Sequence, residues 1–377
     1  MSILWTKKVE RLCAYTVKIN IRKPYLDNIR WMTIVLVVIY HVIYMFNGIV
    51  VDGVIGPFCE RQYQDCIQYI LYPWFMMLLF IVSGMCARYY MEKHTVREFV
   101  RARTQKLLIP STVGLLVMGW VQGFINMSLS DAFHTIPDTI PGFVMYLIMV
   151  VSGTGVLWFI QLLWLFSMLL AVIKKFEKGK LYKLGGRANI WIMVLLTVPV
   201  YLSGLILNTP VIAVYRFGIY GFTFFLGYFV FAHEEVTDTV SQYRVWFLAA
   251  AAVLGIVYLV MHYGDNYAVM PTVNCIPATA YGWSACLAAL GCMKKWENTC
   301  PVFSSFMEKR SFGLYVLHYL PLSATAYVLH KYTNLPALLV YLTVASAAFA
   351  GSLMMYEIIS RIPVFRWCVL GIRKEKK

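Results

Sequence analysis

Two ionisable residues stand where an apolar helix tolerates them least. The stretch LDNIRWMTIVLVVIYHVIYMF carries Arg30 near its start and His41 eleven residues further on. Eleven steps of 100° make three turns plus about 20°, so both side chains project from one stripe, about 16 Å apart along the axis. In a helix entering a bilayer at Arg30, His41 falls near mid-membrane, where an ionisable residue is costly and functional by default. An imidazole, with an ordinary pKa near 6.5, is suited to withdrawing the proton of a weak nucleophile such as an alcohol. A lone intramembrane histidine also serves simply as a hydrogen-bonding link between helices, and the spacing does not separate the two roles. A second cluster lies in SGMCARYYMEKHTVREFVRARTQKLLIPS, where Arg97, Arg101, Arg103 and Lys106 lead into an apolar run. Arg101 or Arg103 with Lys106 falls near one helical face, able to grip a polyanion such as phosphate. Anchoring at lipid headgroups is the plainer alternative.

The rest of the chain supplies helices to position these groups. Of 377 residues, 60% are hydrophobic and 14% charged, against roughly 25% charged in soluble domains. Apolar runs of spanning length are expected at 29–50, 67–90, 107–127, 154–173, 190–207, 211–231, 244–262, 272–293, 311–330 and 336–360. A shorter segment, 141–151, is too short to cross and is expected to lie in the interface or re-enter. The reading is an all-α, polytopic transmembrane helical bundle of about ten spans with both termini cytoplasmic. Residues 1–28 form a basic cytoplasmic segment, 29–360 the membrane domain and 361–377 a basic cytoplasmic tail. No cleavable signal peptide is expected. With this topology 30 of the 33 Lys and Arg fall inside, and only Arg61, Arg216 and Lys331 fall outside, as the positive-inside bias requires. The net charge of +15 is thus topology, with no nucleic-acid partner implied. The expected location is a cell membrane, plasma or inner, with lipid as a partner.

Two outer loops are long enough to frame a site. Loop 51–66 carries Asp52, Glu60, Tyr63 and Asp65, together with Cys59 and Cys66, which could pair in an oxidising compartment. Loop 128–153 carries Asp131, His134 and Asp138. The seven histidines are scattered, so no metal centre is expected, and no phosphate-binding glycine loop appears.

Five elements in order resemble the acyltransferase-three family of integral membrane acyltransferases. These are Arg30-x10-His41 preceded by Leu26-Asp27; Phe80-Ile81-Val82-Ser83-Gly84, similar to "FFxxSG"; Phe99 through Pro110, similar to "FxxxRxxRLxxP"; Leu157-Trp158-Phe159, similar to "LWF"; and Tyr315-Val316-Leu317-His318, similar to "YxxH". One element departs, because the usual Arg-x-x-Arg reads Arg103-Thr104-Gln105-Lys106. Lysine keeps the charge but loses the planar fork. The surrounding Phe99-Val100-Arg101 and Ile109-Pro110 look closest to the branch that decorates membrane-associated glucans.

The resemblance implies transfer of an acyl group from coenzyme A, acetyl first and succinyl as runner-up, to a hydroxyl of a surface glycan or small molecule. His41 would be the general base, with Arg30, Arg103 and Lys106 (and Arg101) on the phosphates of acyl-CoA. Ser83, Trp158, Tyr315 and His318 would line the site. Trp158 is equally readable as an interfacial aromatic, and His318 as a structural hydrogen bond between helices. From the outer loop, Asp52, Glu60 and Asp65 could meet the acceptor, with solvated loop charges the plainer alternative. No metal enters. Transfer through an acyl-histidine, and a second intramembrane acyltransferase superfamily whose catalytic histidine His318 would mimic, are less favoured variants. The rival of another class is a secondary transporter, which would need acidic coupling residues inside spans; only Glu357 lies deep enough.

Overall fold

The computed structural model describes residues 23–49, 55–59, 61–137, 139–207, 215–297 and 302–373. It is helical throughout, with no strand among those residues. The helices used below are α1 (Pro24–Met45), α2 (Phe75–Met91), α3 (Val96–Leu129), α4 (Gly142–Ser152), α5 (Trp158–Glu177), α6 (Ile190–Ser203), α7 (Phe217–Phe231), α8 (Glu234–Gln242), α9 (Arg244–His262), α10 (Ile276–Trp296), α11 (Val302–Leu317), α12 (Tyr319–Tyr332), α13 (Ala337–Arg361) and α14 (Pro363–Leu370). Seven are long and apolar enough to cross a membrane, and the bent pair α11–α12 makes eight. The shorter apolar helices α6 and α7 occupy the fifth and sixth expected spans, and α4 the expected short segment. Outward faces agree with a lipid surround: Val253, Ile256 and Val260 form an exposed stripe on α9, at the spacing of one helical face.

Three local causes shape the site. Pro24 starts α1, having no N–H to leave unpaired there, and Asn47-Gly48 follows its end. The helix therefore lies about one turn nearer the N-terminus than hydropathy places it. Pro110 cannot donate to the carbonyl one turn back. On either side of Ile109, α3 is wound as π-helix, over Thr104–Leu108 and Pro110–Gly119, a geometry that concentrates at functional sites. Pro321 likewise denies Leu317 its helical partner, and α11 and α12 meet at 51° with His318 at the corner.

Close helix crossing holds the middle together. A methyl group at Gly84 would sit 2.0 Å from Phe224 O, and one at Gly227 2.0 Å from Ile81 O. Thus α2 and α7 touch backbone to backbone, as small residues permit in membranes. At one end of the bundle, Glu234 on α8 meets Lys23 before α1, and Lys294 on α10 at 2.7 Å. These contacts fix the starts of α1 and α8 beside the end of α10.

Candidate active site

His41 faces the corner between α11 and α12. Its Nδ1 lies 2.8 Å from Val37 O, one turn back on α1, and 3.2 Å from His318 Nε2. A carbonyl only accepts, so His41 Nδ1 carries the proton. His318 Nδ1 lies 2.8 Å from Tyr315 O and 3.2 Å from Leu314 O, which places its proton on Nδ1 in the same way and leaves Nε2 as acceptor. The His41 Nδ1–H is then shared between Val37 O and His318 Nε2. The lone pair of His41 stands on Nε2, the nitrogen available for proton transfer. The rings of Tyr40, Tyr44 and Tyr319 surround His41 at 5.1, 6.2 and 5.4 Å. Tyr40 is itself held by Tyr267, hydroxyl to hydroxyl at 3.0 Å.

Three turns down α1, the Arg30 guanidinium donates to Cys86 Sγ at 3.0 Å and meets Asp27 at 3.4 Å. Arg103 lies within electrostatic range of both Arg30 and Cys86. No carboxylate of a described residue lies within ion-pair distance of it. Two guanidinium groups thus stand within electrostatic range of each other with one described carboxylate, Asp27, in ion-pair reach of Arg30, an arrangement whose repulsion a polyanion would relieve. Ser83 is partly buried one turn above Cys86 on α2. Lys106 is held elsewhere: it donates to Leu370 O at 3.1 Å and lies 4.0 Å from the Phe312 ring centre, a cation at the carbonyl end of α14. Arg101 is exposed on the outer side of α3.

Beside the histidine pair, a cavity of about 60 Å³ runs between the π-wound part of α3, the turn before α5 and the α11–α12 corner. Gly114, Leu115, Gln122, Val156 and Tyr319 are among its walls, so Tyr319 faces both the cavity and His41. Tyr315 closes the other side of that turn, donating to Val156 O.

A family model described as an acyltransferase domain matches residues 23–357, nearly the whole chain. The chain belongs to the acyltransferase-three family. No curated protein and no solved structure matches it. As a multi-pass membrane acyltransferase it works between an acyl donor and a hydroxyl acceptor.

The family assignment displaces the transporter reading, and Glu357 fits no coupling role: it accepts two hydrogen bonds from Arg310, at 2.9 and 2.7 Å. In this acyltransferase Trp158 is partly buried, stacked on Tyr220 at 5.5 Å, and belongs to an aromatic wall with Phe80 and Phe159. Asp65 is buried and accepts from Gly48 N at 2.8 Å, bracing the end of α1. Asp52, Glu60 and Asp138 lie outside the described residues. Cys59 and Cys66 are free thiols, so the pairing considered for them is not formed; Cys59 is turned to Arg61 O at 2.6 Å. Among the described residues no group of three or more His, Cys, Asp or Glu is placed to hold a metal ion. Sequence reasoning missed the contact between His41 and His318, 277 positions apart. It also missed Tyr319, although Pro321 was a legible sign that the chain bends there.

Proposed function

We propose that this acyltransferase moves a short acyl group, acetyl first, from cytosolic acyl-CoA to a hydroxyl of an extracytoplasmic glycan or small molecule, with His41 as general base. The observation that carries the reading is the pairing of His41 with Val37 O and His318, which leaves Nε2 free to take a proton. The end bearing Arg30 and Arg103 faces the cytoplasm, both termini lie on that side, and the chain crosses a plasma or inner membrane ten times, counting α6 and α7. Arg30 and Arg103 hold the phosphates of coenzyme A, while Lys106 fixes α14. The pantetheine arm rises past Cys86 and Ser83 toward His41. The acyl chain enters the 60 Å³ cavity, which is well below the roughly 150 Å³ that admits benzene and so suits a two-carbon unit.

The acceptor hydroxyl gives its proton to His41 Nε2 as its oxygen bonds to the thioester carbon. The tetrahedral adduct then expels the thiolate, and the proton passes from His41 to that sulfur, giving ester and free coenzyme A. His318 accepts from His41 Nδ1–H throughout. The test is transfer of radiolabelled acetyl from acetyl-CoA to membrane glycans, with mass spectrometry of surface glycans from cells with and without the protein. His41→Ala is expected to leave expression near wild type and to lower transfer by about 10²–10⁴-fold. Full transfer by that variant removes the mechanism, and a stoichiometric burst of thiol without acceptor replaces it with an acyl-enzyme route.

A further inference from the structure

Arg216 is a buried cation with no counter-charge among the described residues. It is 4% exposed and stands immediately before α7. One nitrogen donates to Asn274 Oδ1 at 3.2 Å, while Asn274 is itself oriented by Tyr201 O at 3.3 Å. The Tyr220 ring centre lies 5.9 Å from the guanidinium carbon. The Arg216 Nε has no partner, and no carboxylate of a described residue comes within ion-pair distance. Tyr258 lies within electrostatic range of the same charge. Its hydroxyl, on a residue 1% exposed, is also without a partner. Burying an ion without compensation is unfavourable, and buried polar groups are ordinarily satisfied. An unpartnered guanidinium nitrogen and an unpartnered hydroxyl, both buried and within electrostatic range of each other, leave a positive charge that no carboxylate of a described residue neutralises and that an anion would satisfy.

The position narrows the source. α7 runs from Arg216 toward α8, whose Glu234 meets Lys23 at the start of α1. Arg216 therefore lies at the end of the bundle opposite Lys23, away from the mouth formed by Arg30 and Arg103. A chain of aromatic side chains nonetheless links it to the neighbourhood of His41. Tyr72 is within electrostatic range of Arg216, and its ring lies 6.0 Å from that of Tyr40, the neighbour of His41. We propose that Arg216, with the Tyr258 hydroxyl, binds a carboxylate or phosphate group carried by a substrate at the end of the bundle remote from the coenzyme A phosphates. Assigning that anion to a substrate rests on the acyltransferase reading above; the site itself does not. Its place at the remote end favours an anionic acceptor, such as an acidic sugar or a phosphate-bearing glycan. A dicarboxylic acyl group would bring the same chemistry from the donor.

The test uses the full chain in nanodiscs of zwitterionic lipid, without acyl donor. Sodium phosphate and sodium succinate are titrated separately against sodium chloride of equal ionic strength, and Tm is read. The wild type is expected to show a rise that grows with the logarithm of anion concentration once above the dissociation constant, about 2 °C at tenfold that constant. Arg216→Gln should lose the rise. Arg216→Lys, which keeps the charge should the glutamine variant fail to fold, should retain it with about tenfold weaker affinity. Tyr258→Phe should weaken it several-fold with the arginine in place. No rise in the wild type beyond the sodium chloride control, or the same rise in Arg216→Gln, overturns the proposal. Dissociation constants for acetyl-CoA and succinyl-CoA then identify the carrier. Equal values in the wild type assign the anion to the acceptor; tighter succinyl-CoA binding that Arg216→Gln abolishes assigns it to the acyl group. None of these readouts requires transfer, so loss of the His41 mechanism and loss of the anion site are separately visible.

Discussion

Replacing His318 by alanine isolates its contribution from that of His41. His318 Nε2 is 3.2 Å from His41 Nδ1, while Val37 O is 2.8 Å from the same nitrogen. The proton is shared, with the shorter branch to the carbonyl. When His41 takes a proton on Nε2 the ring becomes positive, and both acceptors then stabilise it through charge-assisted bonds. Such a bond contributes about 1.5–3 kcal/mol, and the longer branch belongs at the low end, about 1.5 kcal/mol. Each 1.36 kcal/mol is tenfold in rate. His318→Ala is therefore expected to lower kcat by roughly tenfold with KM for acyl-CoA unchanged, because Arg30 and Arg103 are untouched. His318→Gln, whose side-chain oxygen can accept at a similar reach, should recover part of the loss. The assay is steady-state release of thiol from acetyl-CoA in the presence of acceptor, with folding checked by gel-filtration profile. An unchanged kcat in His318→Ala refutes the shared-proton account. A loss as large as that of His41→Ala would transfer the role of base to His318.

Arg103→Ala should raise KM for acyl-CoA by about tenfold, one charge-assisted contact, with little change in the value for acceptor; the wild-type KM should climb with added salt and that of the variant less steeply. An acceptor-specific change would place Arg103 elsewhere in the reaction. At the same end of the bundle, burial raises the Glu234 carboxyl, but hydrogen bonds and charge from Lys23 and Lys294 outweigh it and hold the group below its ordinary 4.5. A depressed carboxyl contributes stability that is full above that value and is lost as pH falls through its folded-state value. Tm of the wild type should accordingly drop more steeply below about pH 4.5 than that of Glu234→Gln. Since half of the Glu234 side chain is exposed, the difference near neutral pH should stay within about 1 kcal/mol; parallel pH curves would deny the cluster its role.

The helical bundle was legible because a bilayer leaves few options. Backbone groups in lipid must pair within a segment, so each apolar run of sufficient length declares a helix, and charge asymmetry orders them. Boundaries were less legible where single residues overrule hydropathy, as Pro24 and Asn47-Gly48 do for α1. Lys106 shows a different limit. Its spacing from Arg103 suggested a shared grip on one ligand, yet its partner is Leu370 O, 264 positions away. Periodicity places a side chain on a face; it cannot say which distant carbonyl meets that face. The His41–His318 contact was hidden for the same reason. Arg216 was visible as an exception, one of three cations that the positive-inside pattern left outside. Arg61 and Lys331 are free to meet solvent or headgroups there, whereas Arg216 is buried, which is what turns an exception in a charge count into a candidate site.

The histidine pair also constrains how the proposed reaction can proceed. In many hydrolytic sites a buried carboxylate orients the base and stabilises its protonated form. Among the described residues neither His41 nor His318 has a carboxylate as an electrostatic neighbour; each ring is oriented by the backbone carbonyl of its own helix. In a membrane interior this avoids the large cost of desolvating a second ion, since a carbonyl dipole is already paid for by the helix. It also means that an imidazolium formed during the reaction is held by dipoles alone, in surroundings where an uncompensated charge is unfavourable. Such a cation is a poor resting state. It is best relieved by passing its proton to the departing thiolate in the same encounter, with coenzyme A and acceptor both present. A site of this construction favours direct transfer through a ternary complex over a stored acyl-enzyme. Initial-rate plots should intersect when both substrates are varied, whereas a parallel set would mean that the acyl group rests on the protein between two half-reactions.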